Sequence, residues 1–124
     1  MELLDTSAWI EYFKGSEKGL FVKKLIEENE VYTSAITIAE ISKWFYENNH
    51  DIKLGISQIK INSIIIELSE EILIESGKKY VDLRKINNKI GLIDVIIYVS
   101  SQIYNLDLIT KDSDFKNLAN VKII

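Results

Sequence analysis

The 124-residue sequence is 47% apolar and 27% charged, the proportions of one soluble globular domain with a single hydrophobic core. Without cysteine and with one histidine, His50, it excludes disulfides, thiolate centres and His-rich zinc or iron sites, leaving carboxylate oxygens suited to Mg²⁺ or Mn²⁺. The net charge of −4 argues against a nonspecific nucleic-acid coat but not against a nuclease.

The opening Met1-Glu2-Leu3-Leu4-Asp5 has no basic leader pattern, and no apolar run approaches the roughly 20 residues of a membrane span, so a cytoplasmic protein is expected. Glu2 to Asp5 reads as a first strand, followed at once by a helix to about Phe13. Leu20, Phe21, Leu25 and Ile26 set a helical period over Glu17 to Glu28. Val31 to Thr33 is a short strand, Ile36 to Glu47 a helix, and Asp51 to Ile61 a less regular one. Ser63 to Leu68, with Ile64-Ile65-Ile66, reads as a buried strand. Ser69 caps the next helix, Glu70 and Glu71 suit the positive end of its dipole, and Asn87-Asn88 stops it after Ile86. Gly91 to Tyr104 reads as a strongly apolar helix, followed by the strand Leu106 to Thr110, a short helical turn and the strand Val121 to Ile124. Proline, low-complexity tracts and repeats are absent, so residues 1–124 read as one domain. Five strands alternating with helices predict an α/β fold, with a mainly parallel sheet between two helical layers.

Acids stand where these elements begin or end. Asp5 closes the first strand, where α/β ligand sites lie, yet it could equally cap the following helix. Glu40 lies three residues after Thr37, a capping-box spacing, and taken alone reads best as a cap, with Ile36, Ala39 and Ile41 turned inward. Asp94 interrupts a helix apolar nearly all round. Ile97 and Tyr98, not Lys or Arg, lie one turn later, so a bound cation would satisfy a carboxylate buried there. Asp112 and Asp114 follow a strand ending in Thr110, and one of them fits an Asx cap. Asp82, Asp107, Glu67 and the Glu27-Glu28-Glu30 run read as solvated.

The order of these acids resembles that of a PIN domain, and more narrowly the VapC toxins of VapBC toxin–antitoxin modules. The resemblance spans the chain through Leu4-Asp5-Thr6-Ser7, Ser34-Ala35-Ile36-Thr37-Ile38-Ala39-Glu40-Ile41, Leu92-Ile93-Asp94-Val95-Ile96-Ile97 and Leu108-Ile109-Thr110-Lys111-Asp112-Ser113-Asp114-Phe115. Two departures are Tyr98-Val99-Ser100-Ser101, where many relatives have small residues, and a single arginine, Arg84. The resemblance implies a PIN-like three-layer α/β/α fold and a Mg²⁺- or Mn²⁺-dependent endoribonuclease, with hydrolysis leaving 5′-phosphate and 3′-hydroxyl ends. It implies Asp5, Asp94 and Asp112 as metal ligands, Asp114 as a secondary one, and Glu40 as binding a second metal or orienting water. Ser7 and Thr110 would hold carboxylate rotamers.

Lys43, Arg84 and Lys111 are candidates for contacting RNA, with Lys14, Lys85 and Lys89 behind them. The family also implies a homodimer silenced by a VapB-like antitoxin. Of Trp9, Tyr12, Phe13, Trp44, Phe45 and Tyr46, about half are expected in the core, and Trp44, sharing a face with Glu40, best suits an antitoxin groove. Rival readings are an RNA-processing PIN nuclease without an antitoxin, a PIN fold that binds without cutting, and a receiver-like signalling domain. Receivers carry paired acids after the first strand and an Asp ending a middle strand; here Asp5 is alone and the middle strand ends Ile66-Glu67-Leu68.

Overall fold

A computed structural model describes residues 1–124. The chain runs β1 (Glu2–Leu4), α1 (Thr6–Lys14), α2 (Glu17–Glu28), β2 (Val31–Ser34), α3 (Ala35–Glu47), α4 (Ile52–Asn62), β3 (Ile64–Ile66), α5 (Glu70–Ile86), α6 (Leu92–Ile103), β4 (Asp107–Thr110), a 3₁₀ turn (Ser113–Phe115) and β5 (Val121–Ile123). All strand pairings are parallel, in the order β3-β2-β1-β4-β5. Alternation along the strands divides the core in two. Leu3 and Leu108 pack with Ile72, Val95, Ile97 and Phe115 on the α5/α6 face, while Leu4 and Ile109 pack with Trp9, Ile41, Phe45 and Ile59 on the other. This is the three-layer arrangement expected from the sequence.

Short polar residues set the helix starts. The side chains of Ser16, Ser34, Asp51 and Ser69 accept backbone N–H bonds in the first turns of α2, α3, α4 and α5. Gly15, at φ +66°, turns α1 sharply into α2. Gly19 then brings the two helices into contact that leaves no room for a side chain.

Two expectations change. The Ser63–Leu68 strand shrinks to Ile64–Ile66 and lies at the sheet edge, with Ile64 45% exposed, because no strand pairs with its outer side. The α6 helix is not apolar-buried all round: Leu92 and Ile93 face solvent at its start. The chain builds β2 and β3 to one side of β1, then β4 and β5 to the other. A crevice therefore forms beyond the carboxyl ends of β1 and β4, the switch point at which α/β folds bind ligands.

Candidate active site

Asp5 sits at this switch point, its N–H bonded to the Ile109 carbonyl at 2.9 Å. It occupies the position before α1, but its side chain makes no capping bond. Instead Asp5 Oδ2 accepts from Ser7 Oγ (2.7 Å) and Thr110 Oγ1 (2.8 Å). These hydroxyls are fixed in turn: the Lys111 N–H donates to Ser7 Oγ at 2.9 Å and the Asp112 N–H to Thr110 Oγ1 at 3.0 Å. Burial raises the Asp5 pKa, and the two hydroxyls only partly oppose it.

Glu40 is not a cap either. Because α3 starts at Ala35 behind Ser34, Glu40 stands beyond the first turn, where Thr6 Oγ1 donates to its Oε1 at 2.6 Å. Thr6 also bonds Thr37 Oγ1 at 3.0 Å. Partial burial raises the Glu40 pKa, Thr6 lowers it, Asp5 raises it and Lys43 lowers it, with a net upward shift. Ala39, expected inside, is exposed beside it.

Asp94 lies in the first turn of α6, half-buried rather than buried, and its Oδ2 accepts the Gly91 N–H at 3.1 Å. Its pKa is pushed up to about 6, first by desolvation and then by repulsion from Asp5, Asp112 and Glu40, against the Gly91 bond. That repulsion identifies the four carboxylates as one electrostatic cluster. None of them forms an ion pair with Lys or Arg. Asp112 caps the 3₁₀ turn through Oδ1, which accepts the Asp114 N–H at 2.9 Å. Asp114 is turned toward Asn87, whose Nδ2 donates to its carbonyl at 3.2 Å and approaches its Oδ1 at 3.5 Å.

The donor set is hard oxygen with uncompensated charge, which fits Mg²⁺ or Mn²⁺. No three carboxylates close into a ready-made coordination group, so water would complete the ligand sphere, the usual habit of Mg²⁺.

The basic candidates divide. Lys111 Nζ is held by Glu11 Oε2 at 3.3 Å, and Lys14 reaches the same oxygen at 3.4 Å. Arg84 donates to the Tyr80 hydroxyl (3.1 Å) and the Ile90 carbonyl (3.2 Å). Lys85 pairs with Asp82. Lys43, 3.6 Å from Glu47, shares a groove with Glu40. Sequence reasoning missed Glu11, which is 5% exposed, and the Thr6–Thr37 pair behind Glu40. Lys14 one turn after Glu11, and Thr6 next to Asp5, were the available signals.

Thr110→Val removes one donor from Asp5 while keeping shape. Divalent-cation affinity is expected to fall about tenfold, the usual effect of losing a group that orients a ligand, as read by calorimetric Mn²⁺ titration. Unchanged affinity would show that Thr110 does not prepare Asp5.

The sequence matches the PIN domain family over residues 3–121. No curated protein matches it. A toxin–antitoxin complex from Klebsiella pneumoniae contains a similar chain, with TM-score 0.77 and 26% identity, covering 98% of this chain and 96% of that one. VapBC2 from Rickettsia felis, bound to a promoter DNA fragment, is similar in fold with TM-score 0.74 and 20% identity over 99% of this chain and 96% of that one. The Mycobacterium tuberculosis toxin VapC20, described as cleaving the sarcin–ricin loop, is similar in fold with TM-score 0.78 and 14% identity over 99% and 98%.

Proposed function

The chain belongs to the PIN domain family, and from that membership we propose that it is a VapC-type toxin, an endoribonuclease that hydrolyses RNA phosphodiester bonds with a divalent cation. The observation that carries this reading is Asp5 at the switch point with the charges of Asp5, Glu40 and Asp112 acting on Asp94, none of the four in an ion pair with Lys or Arg. The resemblance to the Klebsiella complex supports the toxin assignment and a small antitoxin partner. No helix is long and apolar enough to cross a membrane. Ile74 and Val81, exposed two turns apart on one side of α5, suit packing against a second copy of the chain.

In this reading Asp5, Asp94 and Asp112 would hold Mg²⁺ or Mn²⁺, with Asp114 as a secondary ligand. When bound, the cation would supply a more acidic water and a counter-charge for the phosphate in the transition state. Ser7 and Thr110 keep Asp5 Oδ2 engaged and so fix its rotamer. Thr6 fixes Glu40, whose raised pKa suits it to take the proton of the attacking water.

Incubation of the protein with a mixed RNA pool tests this. Cleavage is expected with Mg²⁺ or Mn²⁺ and not with EDTA, leaving 5′-phosphate and 3′-hydroxyl ends. A 2′,3′-cyclic phosphate product would overturn hydrolysis by water. Cleavage that persists in EDTA would overturn the cation's role.

A further inference from the structure

Beside the carboxylates runs a groove of about 510 Å³ whose walls include Ile10, Ala39, Trp44 and Ile93, with Glu40 and Lys43 on its polar side. We infer that this groove is a nucleobase subsite and that Trp44 is the platform on which a base flanking the cleaved phosphate stacks. The inference rests on the ribonuclease reading and adds the part of the substrate that the acids do not touch.

Three observations carry it. The groove is continuous with the acid cluster, because Glu40 and Thr6 line it and Ile93 precedes Asp94. Trp44 follows Glu40 by one turn of α3, so a base next to a phosphate held at the acids lies toward the indole. Second, Trp44 is set by neighbouring rings. His50 lies 4.9 Å from it, centroid to centroid, and Phe45 5.8 Å, and Phe45 is itself packed on Phe13 at 4.8 Å. Trp44 nevertheless stays partly exposed, whereas Trp9 is fully buried and donates to Thr33.

Third, the protein's own cations near the site are already engaged: Lys111 by Glu11, Arg84 by the Tyr80 hydroxyl and the Ile90 carbonyl, and Lys43 by Glu47, a second acid lining the groove, while the chain as a whole is acidic. An aromatic platform supplies affinity without cationic surface, the usual means of gripping unstacked single-stranded bases. A protein segment could also lie in an apolar groove, but its continuity with the acids favours the nucleotide attached to the reacting phosphate.

Binding can be read apart from catalysis in the Asp94→Asn background, using a random-sequence RNA octamer and an abasic octamer. The RNA octamer is expected to quench the tryptophan fluorescence, with Trp44 as reporter because Trp9 is buried, and the abasic octamer is not. Adding Trp44→Ala should weaken RNA octamer binding on the order of tenfold by anisotropy, the lower part of the range for one base on an aromatic ring. Trp44→Phe should recover most of it, and the abasic octamer should bind all three alike. Equal RNA binding by the Ala variant, or an equal loss on abasic RNA, would overturn the subsite. So would a loss confined to antitoxin binding. If the wild-type protein does not cleave RNA at all, the ribonuclease reading fails instead, a distinguishable result.

Discussion

Asp94→Asn is expected to abolish RNA cleavage and at the same time to make the protein more stable at neutral pH. Loss of one anionic ligand from the proposed cation site should lower the cleavage rate by on the order of a thousandfold or more. The gain in stability follows from the desolvation of the Asp94 carboxylate and, after it, from repulsion by Asp5, Asp112 and Glu40. Its pKa in the folded protein is about 6, above the ordinary 3.8, so the folded state holds the proton more tightly than the unfolded state. Stability must then fall as pH rises from about 4 through 6, and the penalty is fully present above that window. A shift of two units corresponds to nearly 3 kcal/mol, but Asp94 is only half-buried, and solvent screening reduces this to about 1 kcal/mol. The Asn variant, without added divalent ion, should unfold at higher urea than wild type at pH 7.5 and at the same urea below pH 4. Asn can still accept the Gly91 N–H, so the helix start is retained. Full activity in this variant would sink the mechanism. Lower stability at pH 7.5 would show that the carboxylates are not in conflict.

Gly19→Ala should lower stability by about 2 kcal/mol, although alanine is the better helix former. A Cβ at Gly19 would lie 2.0 Å from the Glu11 carbonyl oxygen and 2.7 Å from its carbon. Both are backbone atoms inside α1, so no side-chain rotation relieves the clash, and the two helices must part. Overpacking of this kind costs up to about 3 kcal/mol, and the roughly 1 kcal/mol of helix propensity gained offsets only part of it. Gly77→Ala is the control. It sits exposed in α5 with nothing near its missing Cβ, and should stabilise by somewhat under 1 kcal/mol. Urea denaturation of both variants checks the pair; equal effects would mean that the α1–α2 contact is softer than it looks. Glu11 also holds Lys111, so separating the helices should loosen the loop that carries Asp112.

Much of this was legible in the sequence, for identifiable reasons. Helix boundaries followed Ser69 and Asp51 because their side chains compete for the first N–H groups of the next turn. The acids were legible as a set because strand ends and helix starts converge at a parallel switch point. What escaped depends on direction. Asp112 and Asp114 look equivalent in sequence, but the Asx turn leaves one in the cluster and turns the other toward Asn87. Lys111 looked free because Glu11, distant in sequence, gave no sign of being buried beneath it. The isoleucines of β3 look like a central strand, and only the topology places them at an edge.

The bond from Thr110 to Asp5 joins residues 105 apart in sequence, and β4 pairs directly with β1. During translation, Asp5 has only Ser7 as a hydroxyl partner, and no Asp112, until the 105 residues that lead on to Thr110 have been made. At typical elongation rates that interval is about 5–20 s. Strand order thus makes assembly of the proposed site wait on β4, and a nascent chain that stops short of it holds an incomplete site.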